Sequence, residues 1–333
     1  MVTDKSSRMT SIVLLFGLPP ALSQRYYDGI RAEFPDIKIT LVTHVSQIEP
    51  HLADMDVLIT HGPYLADRAD HVLSNAPKLK WIQGIGTGVD NFADRPLLRD
   101  DITITNIHGV HGNPMSEAAF AAMLALSRRI PRSVRNQDRQ KWEAWPSRLL
   151  TGKTIGIFGV GSIALTVAPR CKAFDMTVIG ISSGIRPVPG FDRMVHRDAL
   201  LEVVKELDYF LLLTPYTLET HHIIDAAVFA AMKPHAFLIN HARGGVVDED
   251  ALLAALKNGQ IAGAAVDVFA TEPLPKGHPF WSMENMLITC HQSATHEGTI
   301  QANLPIITHN IRRFVSGDVA GMRNVVRPAK SGD

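Results

Sequence analysis

The sequence predicts an α/β protein built from two doubly wound parallel sheets. Short apolar, β-prone runs alternate with longer helical stretches along nearly the whole chain, the pattern of strands joined by crossover helices. One segment, Thr154–Ala164 (TIGIFGVGSIA), passes directly from strand to glycine turn to helix. The 333 residues, 46% hydrophobic and 20% charged, are enough for about two domains with their own cores.

The first sheet is expected between Ser11 and about Asn106, with strands at Ser11–Gly17, Ile37–Val42, Val57–Thr60, Lys80–Gln83 and Ile102–Asn106. Polar helical stretches such as Leu22–Phe34 and Leu65–Asn75 lie between them. Lys5 and Arg8 ahead of Ile12–Leu18, with Ala21-Leu22-Ser23 beyond, have the outline of a secretory leader. The apolar run is short, however, and Pro19-Pro20 ends it as a loop would, which favours a flexible tail and a buried first strand. No run approaches the ~18 apolar residues of a membrane span.

Ser116–Ile130 reads as a helix capped by Ser116, with Glu117 in its first turn. It is apolar almost all round, so it is expected to be buried between units. The arginines that follow (128, 129, 132, 135, 139) read as a solvated basic face, and Trp142 and Trp145 as packing residues. Strands at Met176–Ile181, Tyr209–Leu213, Phe237–Asn240, Ala264–Phe269 and Leu287–Thr289 continue the second sheet. One helix there is well marked: Asp248 caps it, Glu249 and Asp250 open it, and Lys257-Asn258-Gly259 ends it.

Composition excludes some partners. Thirty-three basic residues balance thirty-three acidic ones, leaving no net field to attract nucleic acid or an anionic membrane. Two cysteines, Cys171 and Cys290, make no disulfide framework and suit a reducing cytoplasm. His108 and His111 have a spacing some metal sites use, but no Cys or carboxylate pattern completes one, and no metal is expected.

The glycine turn carries the first chemical signal. Gly159 permits a sharp turn after the strand, and Gly161 leaves room for a phosphate to approach the backbone. The amides opening the helix at Ser162 and Ile163, with the positive end of its dipole, can hold a pyrophosphate. Ala164 stands where a third glycine is usual. At the end of the next strand, where NAD-binding sheets place an acidic residue for the ribose 2′-OH, the chain has Ser182 and Ser183. No acidic residue follows until Asp192, and Arg186 can supply positive charge. This favours NADPH, with NAD as the second cofactor.

Three further segments end strands in reactive side chains. They are NHARGG with Arg243, DVFATEP with Glu272, and TCHQSA with His291. A fixed cation can bind a substrate carboxylate, an imidazole can shuttle the alcohol proton, and a carboxylate can orient the imidazole and favour its charged form. Together these suggest hydride-transfer chemistry.

GVGSIA, NHARGGVVDEDAL, DVFATEPLP and the His291 segment after HPFWSMENMLIT resemble the D-2-hydroxyacid dehydrogenase family. KLKWIQGIGTGVDN resembles its substrate loop and SEAAFAAMLALSRRI its interdomain helix, so the resemblance covers nearly the whole chain. It implies two Rossmann-like domains with an active-site cleft between them. Residues 1–106 and 298–333 would form the discontinuous substrate domain, and 107–297 the dinucleotide domain, through which a homodimer would form. Arg243 would grip the substrate's carboxylate and carbonyl, and His291 would be the general acid of ketone reduction with Glu272 as its partner. Asp267 would bind the nicotinamide carboxamide, Thr214 and Pro215 would flank the cofactor, and the Ile85 and Gly86 amides would meet the substrate carboxylate. The implied activity is reduction of small 2-keto acids, glyoxylate or hydroxypyruvate foremost. A bulkier side chain is the alternative, and a nucleotide-sensing member without turnover is a second that the intact Arg243, Glu272 and His291 argue against. The chain departs from the family pattern at Cys290, where proline is usual, and is one residue shorter after His291. Pro169 falls inside the phosphate helix, where it is expected to bend it, and Asp175 stands where glycine usually ends that helix.

Overall fold

A computed structural model describes residues 9–65 and 68–330; Lys5 and Arg8 of the N-terminal segment lie outside them. The chain forms two compact units, one from Met1–Val110 with Glu297–Asp333 and one from His111–His296. Among the described residues no helix is long and apolar enough to cross a membrane.

The first unit is organised around β1 (Ser11–Leu15), all of whose residues are buried. Its parallel neighbours are β2 (Lys38–Val42) and β3 (Val57–Thr60), and the sheet extends through β4 (Trp81–Gly84) and β5 (Thr103–Thr105). Val325–Arg327 closes the far edge antiparallel to β5, a strand that its half-exposed, non-alternating residues hide in the sequence. Period-two alternation divides the core. Val13 and Leu15 face Leu58, Leu73 and Ile82, whereas Ile12 and Leu14 face Tyr26 and Ile30 of the helix Pro20–Glu33 and Ile307 and Ile311 of the helix Thr299–Val315. The stretch expected as one helix at Leu65–Asn75 is helical at Ala69–Asn75.

The second unit holds seven parallel strands: β6 (Thr154–Phe158), β7 (Thr177–Ser182), β8 (Arg193–His196), β9 (Tyr209–Leu212), β10 (Phe237–Asn240), β11 (Gly263–Val266) and β12 (Met286–Ile288). Their order is β12-β11-β10-β9-β6-β7-β8. The chain winds outward from β6 in one direction, then restarts at β9 and winds the other way. That reversal opens a crevice at the carboxyl ends of β6 and β9, where sheets of this kind bind ligands. Ile155 and Ile157 are wholly buried, each contributing about 1.5–3 kcal/mol of apolar burial. β8 was not expected, because as a half-exposed edge strand it lacks apolar alternation.

Two expectations need correction. The long apolar helix spans Gly112–Ser127, four residues ahead of the expected start, because the Met115 amide already donates to the His111 carbonyl. Ser116 is therefore interior to the helix and buried, its hydroxyl without a partner among the described residues, and it does not cap the helix. Within its own unit the helix buries one face (Met115, Ala119, Ala122, Met123, Leu126) and leaves Leu124 exposed. Trp142 is not a packing residue among the described residues: it is fully exposed in a segment with neither helix nor strand, while Trp145 lies under the Arg132 guanidinium at 4.9 Å. Arg132 also pairs with Glu143, and Arg135 donates to the Met283 and Glu284 carbonyls, so part of the basic cluster ties this segment down.

Candidate active site

The glycine turn after β6 sits at the switch point. Gly159 takes a φ of +98°, and a Cβ on it would lie 2.5 Å from the Thr214 nitrogen. Only glycine lets the turn after β6 come so near the buried Thr214 and its neighbour Pro215, which follow β9. Gly161 caps the helix Ser162–Ala173 and has nothing within 4 Å of a Cβ position. The first helical bond runs from the Leu165 amide to the Gly161 carbonyl, so the Ser162 and Ile163 amides precede any intrahelical acceptor. Open space in front of such donors fits a pyrophosphate. Ala164 is wholly buried, its methyl accommodated against the sheet. The helix runs through Pro169 to Ala173, and Asp175 adopts the left-handed φ of +54° that glycine usually supplies.

At the end of β7 the serines divide their roles. The Ser182 hydroxyl donates to the Gly184 carbonyl at 2.5 Å and accepts from the Gly184 amide. Its one proton is thus engaged in the turn, which corrects the expectation that it donates to a phosphate. Ser183 and Arg186 are exposed. Asp192 lies at the opposite end of β7, where it accepts from the Val178 amide and pairs with Lys172. A residue missed in the sequence, His196, sits beside Ser182 in the β7–β8 register, with Nε2 3.0 Å from the Ser183 carbonyl and Nδ1 3.1 Å from exposed Asp198. Only the unseen edge strand could have revealed it.

Three loops at the carboxyl ends of β10, β11 and β12 assemble the polar centre. Asn240, almost wholly buried, accepts from the Ala242 amide and donates to the Arg243 carbonyl, fixing the loop that presents Arg243. The Arg243 guanidinium is half-buried and donates to the Ala242 carbonyl at 2.8 Å. Gly244 lets this loop touch the next, since a Cβ there would lie 2.0 Å from the Phe269 carbonyl carbon. After β11 the expected strand stops at Val266, because side chains take over its amides. Glu272 Oε1 accepts from the Phe269 amide and Glu249 from the Ala270 amide.

Glu272 presents its other oxygen to His291, with Oε2 2.7 Å from Nδ1. His291 has a φ of +49°, and its amide donates to the Asp267 carbonyl at 2.7 Å. Asp267 itself is buried and organises the same loop. Its carboxylate accepts from the Thr289 hydroxyl at 2.5 Å and from the amides of Gln292 and Ser293 at 3.0 and 3.1 Å. Burial pushes the Asp267 carboxyl up, but these donors outweigh it and hold the group below the ordinary carboxylate range. Cys290, between Thr289 and His291, is exposed.

The substrate-loop segment lies in the first unit, after β4. Here the Ile85 amide donates to the Thr60 carbonyl at 2.9 Å, so it is engaged and does not serve an incoming carboxylate as expected. The Gly86 carbonyl accepts from the Ile107 amide, and a Cβ on Gly86 would meet nothing within 4 Å. Asn303 of the last helix, buried, donates to the Ile85 carbonyl and to the Tyr26 hydroxyl.

The chain is similar to known proteins along most of its length. Residues 120–293 match the family model described as D-isomer specific 2-hydroxyacid dehydrogenase, NAD binding domain. The chain is 33% identical over 303 residues to a D-3-phosphoglycerate dehydrogenase from Methanocaldococcus jannaschii, spanning 89% of this chain and 56% of that longer relative. It is 36% identical over 277 residues to a glyoxylate reductase from Thermococcus litoralis, covering 80% and 82% of the two chains. Among solved structures it resembles an NADPH-dependent glyoxylate/hydroxypyruvate reductase from Sinorhizobium meliloti in complex with NADP and sulfate (TM-score 0.80, 26% identity, 95% and 98% coverage). A D-lactate dehydrogenase from Aquifex aeolicus, complexed with NAD and lactic acid, is equally similar (TM-score 0.83, 26% identity, 96% and 100% coverage).

Proposed function

Because the chain belongs to the D-isomer specific 2-hydroxyacid dehydrogenase family, and so is an NAD(P)-linked oxidoreductase of 2-hydroxy acids, we propose that it reduces small 2-keto acids, glyoxylate or hydroxypyruvate foremost. The observation that carries the reading is the Glu272–His291 contact at 2.7 Å. With Nδ1 held by the carboxylate, the imidazole is oriented to pass a proton from its other nitrogen. Arg243 binds the substrate's carboxylate and carbonyl oxygen, stabilising negative charge as it develops on the latter. The bound cofactor supplies the hydride. His291 supplies the proton that completes the hydroxyl, and takes it back in the reverse direction. The Gly86 amide meets the substrate carboxylate, Ile85 being engaged with Thr60. The Gly159–Ile163 turn receives the pyrophosphate, Thr214 and Pro215 flank the cofactor, and Asp267 keeps lone-pair capacity for the nicotinamide carboxamide.

NADPH is the preferred cofactor in this reading. Asp198, near the end of β7, is exposed and paired with His196, and Ser183 and Arg186 are exposed where a 2′-phosphate would lie. The test is kcat/KM for NADPH and NADH with a saturating keto acid. Wild type is expected to prefer NADPH, and Arg186→Ala to lower the NADPH value by roughly 3–10-fold while leaving NADH unchanged. A wild-type preference for NADH overturns the assignment. The enzyme is proposed to act in the cytoplasm as a homodimer, the latter checked by light scattering. A panel of 2-keto acids with glyoxylate and hydroxypyruvate against bulkier aliphatic and aromatic members tests the substrate: faster turnover of the bulky ones would move the assignment to them.

A further inference from the structure

Glu249 is a carboxylate the proposed chemistry does not use. It stands at the first position of the helix Glu249–Lys257, directly after the capping residue Asp248, whose own carboxylate accepts from the Ala251 amide at 3.0 Å. With the cap supplied by its neighbour, Glu249 reaches out of the helix, and its Oε1 accepts from the Ala270 amide, 21 residues further on, at 2.7 Å. The segment it grips has left the sheet. β11 ends at Val266, and beyond it the Phe269 and Ala270 amides take carboxylates as partners in place of a neighbouring strand, Glu272 Oε1 at 2.9 Å for the first and Glu249 for the second. The Phe269 ring is buried against Phe280, with centroids 6.3 Å apart, and the Phe269–Ala270 peptide lies against Gly244, where a Cβ would leave it no room. Packing presses this peptide into place, and Glu249 adds a directed bond to it that is anchored in a helix.

We propose that Glu249 is a positioning residue for the proton-transfer pair, fixing the Phe269–Ala270 peptide so that Glu272 presents its second oxygen to His291. The inference rests on the reductase reading above and adds to it a residue that hands over no proton. The chain of contacts is short. Glu249 Oε1 holds the Ala270 amide, the adjoining Phe269 amide holds Glu272 Oε1, and Glu272 Oε2 stands 2.7 Å from His291 Nδ1. A carboxylate held at both oxygens is restrained in position and in rotation, so the placement of the Phe269 amide sets the direction of the oxygen that meets the imidazole. Such a bond weakens steeply as it leaves its line, and a misplacement of about 1 Å in a reacting group can cost about a hundredfold in rate. Bonds from a backbone N–H to a carboxylate are among the stronger ones, and Glu249 is half-buried, which suits a loop that must hold still during proton transfer. Without it the amide of exposed Ala270 turns to water and the peptide is free to rotate.

The test is steady-state reduction of the keto acid that the wild type turns over fastest, with the NADPH dissociation constant measured on the same full-length preparations. Three variants separate reach from charge. Glu249→Ala removes the acceptor. Glu249→Asp keeps the charge and the start of the helix but falls short by one carbon–carbon bond, about 1.5 Å. Glu249→Gln keeps an oxygen at the right distance without the charge. The alanine and aspartate variants are expected to lower kcat by roughly 5–20-fold, with keto-acid KM and NADPH binding within about twofold of wild type, and the glutamine variant to stay within about threefold in kcat. The aspartate variant carries the test if the alanine variant does not fold. Because the effect passes through Glu272, Glu249→Asp made in a Glu272→Ala background is expected to cost less than about twofold more. Equal losses in the two backgrounds would make Glu249 a general brace of the fold. Unchanged kcat in the aspartate variant would make it a bystander, and a glutamine variant as slow as the alanine one would move the effect to charge. Each of these overturns the inference while leaving the enzyme reading intact; a wild type that oxidises neither NADPH nor NADH with any keto acid would remove the enzyme reading itself.

Discussion

Replacing Asp267 by asparagine tests how the catalytic loop is held. In the wild type Oδ1 accepts from the Thr289 hydroxyl and the Gln292 amide, and Oδ2 accepts from the Ser293 amide. Asparagine must place its NH₂ at one of these positions. Either orientation sets a backbone N–H against another donor in a site only 3% exposed. One buried N–H left unpaired, with the loss of charge-assisted strength in the others, amounts to roughly 2–4 kcal/mol. In a unit of this size that lowers the unfolding midpoint by roughly 5–15 °C. The loop also presents His291, whose amide is bound to the Asp267 carbonyl, so kcat should fall by about tenfold or more even where the protein remains folded. The effect has a pH signature. The Asp267 carboxyl titrates below the ordinary range in the folded protein, so its stabilisation is complete above about pH 5 and is lost as pH falls through the folded value. Wild type and Asp267→Asn should therefore converge in midpoint in acid. Scanning calorimetry across pH, with keto-acid-dependent NADPH oxidation, provides both readings. A midpoint within about 2 °C of wild type at neutral pH, with unchanged kcat, would refute the reasoning.

Other outcomes follow from the same geometry. Gly159→Ala places a methyl group 2.5 Å from the Thr214 nitrogen at a φ of +98°; it is expected to cost upwards of ~3 kcal/mol and to abolish NADPH binding, and a variant that binds NADPH normally contradicts the turn assignment. Iodoacetamide is expected to modify one thiol in the native protein, exposed Cys290, while Cys171 stays inert because burial pushes its thiol up to about 12. Modification beside His291 should inactivate the enzyme and bound NADPH should slow the loss; equal inactivation of wild type and Cys290→Ala would exclude this.

Much of the fold was legible because its determinants are local. Val57–Thr60 and Phe237–Asn240 have the expected boundaries, each a continuous apolar run with both faces covered, as a central parallel strand requires. Gly159 was readable from the strand–turn–helix order alone. Elements that depend on distant partners were not. Edge strands Arg193–His196 and Val325–Arg327 lack alternation because water covers part of them, and with the first went His196. The start of the helix at Gly112 was obscured by the stronger cap signal of Ser116, which the fold instead buries. Ser182 and Ile85 carry the right chemistry for their expected roles, yet each is already engaged, one with Gly184 and the other with Thr60. No pattern in a single sequence shows that a donor has found an internal acceptor.

Proton delivery by His291 is the central step of the proposed chemistry. The most direct measurement is the turnover number of His291→Ala for NADPH-dependent glyoxylate reduction, with the NADPH dissociation constant measured on the same preparation. Loss of a general acid should cut kcat by ~10²–10⁴ and leave NADPH binding within about twofold of wild type. Near-full turnover by His291→Ala would contradict the assignment of the Glu272–His291 pair.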